Sequence, residues 1–332
     1  MTTATPGQQH PPASYADFSD QPKSGPLKAV VQFFAIPVLI VGLAVSIFLG
    51  TSMLFSTGPK TAAEFVELLR SDTQNRRWQA AMELSAMLAD GEVDQEFRDA
   101  ALIESLAGAL TDAREHPEEL RRMARQVLHI FRMLKDPRSL EAVRSAADDK
   151  DPWIRSNAIL VLGSMHDEGA KGLLGQHLKD EDAGTRRASL VALAALDQEK
   201  GQPFRMSATT MALARRFLGD EDPYVRCQAA ILLGTAGDGS PNLLPLLAKM
   251  LDRKYLEDFP FDAGSSGITQ YDLNSDLLLQ TVGAVAQAKG SGGDPNIVKA
   301  LNQLTNNDTE GDPAVRQAAR LALDELRQTA SE

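Results

Sequence analysis

Cysteine occurs once in the 332 residues, at Cys227. A lone cysteine excludes an internal disulfide and a cysteine-based zinc site. Its surroundings, VRCQAAILL, read as a helix with a buried stripe, so Cys227 is expected as a small core residue. Aromatic residues make up only 5% of the chain, which is thin for a sheet protein, whose strands favour Tyr, Phe and Trp. Positive charge is also scarce: 34 Lys and Arg stand against 45 Asp and Glu, a formal net charge of −11. Residues 1–59 sum to zero, so the whole acidic excess lies in 60–332. Such a domain repels phosphate backbones, which argues against nucleic acid as a partner.

Catalytic patterns are missing as well. None of the five histidines (His10, His116, His129, His166, His177) is followed by Glu, and they fall in unlike surroundings. A metal needs several convergent donors, and no such set is visible. The glycine-rich stretches at Gly237–Ser240 and Gly290–Asp294 lie between predicted helices with no preceding strand, so they fail as phosphate loops. The acidic runs at 148–151 and 180–182 lack the alternating spacing and terminal Glu of calcium loops. No catalytic, cofactor-binding or metal-binding residue is assigned, and no cofactor or enzymatic activity is expected.

What is present divides into three regions. Residues 1–25 are polar, rich in Pro, Gln, Ser and Thr, and predict a disordered tail. Tyr15 and Phe18 within it are either part of a short binding motif or plain linker residues. Residues 28–55 contain AVVQFFAIPVLIVGLAVSIFLGTSMLF, and no charged residue occurs from Ala29 to Pro59. Around 20 apolar residues suffice to cross a bilayer, so one transmembrane helix is predicted. The long polar leader and the long apolar run argue against a cleaved signal peptide. Gly42, Ser46 and Gly50 share one face of that helix. This spacing fits close helix packing and a homodimer through the span; it fits equally the general abundance of Gly and Ser in membrane helices.

Residues 60–332 read as helix throughout, in amphipathic stretches of 10–20 residues broken by Gly, Asp and Pro. Four segments share one grammar: DPWIRSNAILVLG from Asp151, DAGTRRASLVALA from Asp182, DPYVRCQAAILLG from Asp222 and DPAVRQAARLALD from Asp312. Each begins with Asp, has Arg four residues later, and has a small residue three after that. Looser copies place Arg at 77 and 121, and a degenerate copy places Gln280 and Gly283 at the Arg and small positions. The grammar has a physical cause. Asp accepts hydrogen bonds from free N–H groups at a helix start, Pro fits the first helical position, and the small residue permits close packing. One helix pair cannot bury its own stripe, so about seven stacked copies predict a solenoid.

The DPxVRxxA pattern with steps of 30–45 residues resembles HEAT repeats, particularly the short bacterial HEAT-like type, over about 73–330. The resemblance implies an all-α, right-handed α-solenoid of helix pairs following one transmembrane helix. It also implies an inter-repeat ladder of Asp and Arg. The residues matching that ladder are Asp151, Arg155, Asp182, Arg186, Asp222, Arg226, Asp312 and Arg316, weaker at Asp182 (which Ala follows) and at Gln280. HEAT-like relatives include deoxyhypusine hydroxylase, whose His-Glu pairs are absent here, and phycobilin lyases, for whose chromophore pocket nothing in the chain speaks.

Residues 252–271 interrupt the rhythm. Tyr255, Phe259, Phe261 and Tyr271 in this insertion are candidates either to anchor a protein partner or to cover a groove left by the degenerate repeat. Fold and missing chemistry together predict a membrane-anchored scaffold that binds one or more proteins through the solenoid. The alternatives are an accessory subunit of a membrane transporter or enzyme complex, and last a lyase-like enzyme. A bacterial cytoplasmic membrane is the expected location. Lys23 and Lys28 on one flank balance Lys60 and Arg70 on the other, so the side carrying the solenoid stays open.

Overall fold

The computed structural model describes residues 41–43, 45–46, 61–90, 95–199, 201–260, 269–306 and 310–329. The chain divides into two units, residues 1–58 and 59–332. In the first, Val41–Leu43, Val45 and Ser46 are helical and exposed. The rest of the predicted span at 28–55, Gly50 included, lies outside the described residues. Among the described residues no helix is long and apolar enough to cross a membrane.

The second unit is helical, without a strand among its described residues. Seven successive pairs can be followed: α1 (Ala62–Leu69) with α2 (Gln74–Asp90), α3 (Ala100–Glu115) with α4 (Pro117–Leu134), α5 (Leu140–Ala147) with α6 (Pro152–Ser164), α7 (Lys171–His177) with α8 (Ala183–Leu196), and α9 (Ala208–Phe217) with α10 (Pro223–Thr235). In the sixth pair α11 (Leu244–Met250) and the one-turn α12 (Arg253–Glu257) precede α13 (Gln270–Gln287); α14 (Pro295–Leu304) and α15 (Pro313–Thr329) make the seventh. Each second helix packs on the second helix of the next pair, from α2 through α15. A single core cluster extends along the stack from Ala62 to Leu326. The unit is an all-helical repeat solenoid.

Local chemistry sets the element boundaries. Asp151, Asp182 and Asp222 each cap their helix, accepting from Trp153 N, Thr185 N and Val225 N at 2.8, 2.6 and 3.0 Å. Asp312 caps α15 through Ala314 N at 2.8 Å. Each cap is worth about 1 kcal/mol. Asp99 likewise caps α3 through Ala101 N and Leu102 N. The turn leaving a second helix also recurs. Lys135, His166 and Gly237 adopt positive φ of 48°, 53° and 78°, and each is followed by a buried Asp: Asp136, Asp167 and Asp238. Only the last copy uses glycine, the residue for which this conformation carries no Cβ penalty.

Small residues set the stacking distance. A Cβ on Gly163 of α6 would lie 2.6 Å from Ala192 Cα of α8, and one on Gly234 of α10 would lie 3.0 Å from Ala284 Cβ of α13. The small residues after each Arg are buried: Ala158, Ser189, Ala229 and Ala319. The degenerate copy departs from its expected register. The interior row of α13 is Leu277, Leu278, Thr281, Val282, Ala284 and Val285. Gly283 is therefore exposed, and Gln280 bonds Asp276 of its own helix at 2.7 Å. An apolar stripe longer than the motif allowed two registers, and the larger side chains took the interior.

Candidate docking site on the concave face

The ladder that braces the stack differs from the expected one in its acidic partner. Each motif Arg first binds its own turn. Arg155 donates to the carbonyls of Asp149 and Lys150, Arg186 to those of Asp180 and Glu181, Arg226 to those of Asp220 and Glu221, and Arg316 to that of Glu310. In two of them the guanidinium also reaches the next repeat, at an acid two residues before the motif Asp. Arg155 donates to Asp180 at 2.8 Å, and Arg186 to both oxygens of Asp220 at 2.8 and 3.0 Å. Arg114 of α3 serves Asp149 in the same way. These acids also accept the N–H of the capping residue: Asp149 from Asp151, Asp180 from Asp182, Asp220 from Asp222 and Glu310 from Asp312, at 2.8–2.9 Å. The motif Asp is occupied with capping, so the inter-repeat load falls on its neighbour; among the described residues only Arg121 pairs across repeats with a motif Asp, Asp151, at 2.5 Å. The rung at Arg186 is the fullest of the set, so Ala in place of Pro after Asp182 does not weaken it. The signal in the sequence was Asp-x-Asp, present in two runs set aside as calcium loops.

Burial raises the carboxyls of Asp180 and Asp220, but hydrogen bonds from Arg155 and Arg186 and from the capping N–H groups outweigh it and hold both below the usual range.

The insertion has a structural share in this ladder. Arg253 of α12 donates to both oxygens of Glu310 at 2.7 and 3.0 Å and to Ser275 Oγ at 3.1 Å. It supplies the guanidinium that α13 lacks. Tyr255 and Phe259 turn inward: their rings meet edge to face at 5.1 Å, and Phe259 meets Tyr224 at 5.4 Å. Covering a repeat junction costs them the exposure a partner anchor needs. Tyr271 is exposed and packs its ring under Arg253 at 4.3 Å. Phe261 lies outside the described residues. Cys227 is fully buried in α10, and burial pushes its thiol up to about 12, far from reactivity at neutral pH.

A groove runs along the second helices. One cavity of about 640 Å³ is lined by Trp153, Asn157 and Leu160 of α6, Arg187 and Val191 of α8, Gln228 of α10, and Leu273, Asp276 and Gln280 of α13. Packed helices lie about 8–10 Å apart, so α6 and α13 share a cavity only if the row of second helices curves inward. A second cavity, about 400 Å³, is lined by Ser85 of α2, Arg125, Gln126, His129 and Arg132 of α4, and Asn157, Leu160 and Val161 of α6. Asn157 and Leu160 border both, so the cavities adjoin along one concave face. The sequence analysis named no residue of this face; Arg125, His129 and Arg132 at helical spacing were the readable sign.

Over most of this surface the repeats have a family. Residues 103–194 and 174–258 match the family model for HEAT repeats. This stretch is a HEAT-repeat solenoid. No curated protein matches the chain. Solved structures with similar helical-repeat architecture include the complex of CpcE and CpcF of phycocyanin lyase from Nostoc sp. PCC7120, at 18% identity and TM-score 0.44, covering 82% of this chain and 97% of that one. Human deoxyhypusine hydroxylase in complex with glycerol is similar at 17% identity and TM-score 0.35, covering 80% and 96%. A computationally designed armadillo repeat protein for modular peptide recognition is similar at 15% identity and TM-score 0.34, covering 80% and 99%.

The histidines of the HEAT solenoid have separate settings. His177 bridges Asp148 at 3.0 Å and Asp180 at 3.3 Å, His166 forms the turn after α6, and His129 lines the smaller cavity. His116 lies with Asp112 and Glu115 in a cluster whose ligand atoms fall within 4.8 Å of one another. Asp112, half-buried, already accepts from Arg77 at 2.6 Å, and Glu115 and His116 are exposed.

Proposed function

We propose that this chain is a non-catalytic docking scaffold, anchored in a membrane by residues 28–55, whose HEAT solenoid offers its concave face to a protein partner. The observation that carries this reading is the continuous groove from α2 to α13. It mixes guanidinium, amide and apolar groups, as a surface for an extended polypeptide does. Long curved faces of this kind are the usual binding surfaces of repeat proteins. The anchor rests on the charge-free apolar run from Ala29 to Pro59, and a bacterial cytoplasmic membrane is the location proposed. Self-association through Gly42, Ser46 and Gly50 is a subsidiary proposal.

The test is photocrosslinking in cells from a residue placed at Asn157, Arg187 or Gln280 on the groove, and at Glu141 on a first helix. A specific crosslinked protein from groove positions and none from Glu141 is the expected result. Equal crosslinking from both faces removes the reading. Release of the chain from membranes by alkaline carbonate removes the anchor. Replacing 28–55 by an unrelated span should leave the groove crosslinks intact; their loss would favour an accessory subunit that contacts its complex through the span.

A further inference from the structure

The smaller cavity differs from the rest of the molecule in charge. In a chain with a net charge of −11, its walls carry Arg125, Arg132 and His129 and, among the described residues, no carboxylate. Several other arginines of the solenoid are consumed by acids, Arg155, Arg186 and Arg253 among them. Arg125 and Arg132 are exposed, and neither meets a carboxylate among the described residues. Arg125 lies over the Trp153 ring, its guanidinium carbon 5.9 Å from the centroid. Arg132 donates to His129 Nδ1 at 3.1 Å. Both heads are thus held at the cavity by weak neutral partners, with donors left over. Burial, and then the charge of Arg132, lower the His129 pKa, so at neutral pH the ring is an uncharged prop for Arg132.

We infer that this cavity between α2, α4 and α6 binds an acidic side chain of an extended partner peptide, with Arg125 and Arg132 as the two donors. The inference rests on the docking reading above and names the partner's chemistry. Guanidinium forks match carboxylate and phosphate geometry, and Leu160, exposed beside them, offers an apolar neighbour for the next residue. A flat anionic membrane does not fit. The cavity sits inside a curve, and its continuation carries Asp182 and Asp276, which would repel lipid headgroups but accept a peptide of mixed charge.

The test uses the full chain in neutral detergent and fluorescence anisotropy. Three labelled dodecapeptides are compared: one rich in Glu and Leu, its Gln counterpart, and one with phosphoserine in place of Glu. The Glu peptide is expected to bind at least tenfold more tightly than the Gln peptide at low salt. The double variant Arg125→Gln/Arg132→Gln should lose that difference with an unchanged melting curve, since neither side chain holds a rung. The phosphoserine arm reads which anion is preferred: tighter binding of either anionic peptide over the Gln form supports the inference. Equal binding of all three, or full binding by the double variant, overturns it. So does binding of phosphatidylserine vesicles, lost in the double variant, when no peptide binds. A Gln peptide that binds and crosslinks at Asn157, with nothing gained from Glu, also overturns it while leaving the docking reading in place.

Discussion

Arg253 and Glu310, 57 positions apart, form a bidentate ion pair at 2.7 and 3.0 Å in which the Glu310 side chain is fully enclosed. A segment inserted into the sixth repeat thereby braces the seventh. The carboxylate has a second duty, accepting Asp312 N–H at 2.8 Å, so it is anchored from both sides.

Arg253→Ala should strip a buried carboxylate of its counter-charge and cost about 3–5 kcal/mol. Because repeats contact chiefly their neighbours, the loss should appear first as faster amide exchange in α14 and α15. The double variant Arg253→Met/Glu310→Met should recover much of the stability. Equal exchange in the single variant and the parent would contradict the pairing.

The rungs predict acid sensitivity of a defined sign. Asp180 and Asp220 titrate below their usual range when folded, so the unfolded chain binds protons first as pH falls. Their contribution is complete above about pH 4–5, the unfolded carboxylate range, and declines as pH drops through the lower folded values. Urea midpoints should therefore be flat from pH 7 to about 5 and fall below 4. In Arg186→Met, Asp220 loses its Arg186 hydrogen bonds and charge and keeps burial against the Asp222 N–H and the Arg226 charge, so the decline should begin at higher pH. An identical acid profile in both proteins would contradict the rung.

Close stacking at Gly163 admits no side chain without movement. Gly163→Val should force α6 from α8 and cost about 1–3 kcal/mol, whereas Gly283→Ala, on the exposed side of α13, should be neutral or slightly stabilising through its helix propensity. Thermal melts of the two variants compare them directly.

Gly237 and His166 occupy equivalent left-handed turns. Gly237→Ala should cost about 1 kcal/mol from the Cβ clash of that conformation, while His166→Gly should relieve the same clash and offset the added flexibility of the unfolded chain. A stabilised Gly237→Ala protein would show that the turn is not held at φ 78° in solution.

The solenoid was legible because its determinants are local. Asp before Pro, Arg four residues on and a small residue three further all act within one helix start, and periodicity exposed the buried stripe. The acids at 149, 180, 220 and 310 were not singled out, because their role depends on which arginine the fold brings from the preceding repeat. Arg253 was invisible for the same reason: it sits in a segment whose aromatics drew attention as partner anchors, while Tyr255 and Phe259 in fact close a junction. The cavity at α4 was readable only as a basic row, since the absence of acids around it is a property of α2 and α6. The apolar run at 28–55 remains a matter of sequence, and its membrane role a proposal.

The rungs join only adjacent repeats, and they are not equal. Arg186 holds two acids of the next turn, whereas Arg226 binds, among the described residues, only the carbonyls of its own. A pull along the solenoid would therefore not stretch it evenly. Between α10 and α13 the load falls on packing, the Tyr224–Phe259 ring contact included, so that junction would yield before those pinned by Arg155 and Arg186, and a partner seated in the groove would meet a surface jointed at that point.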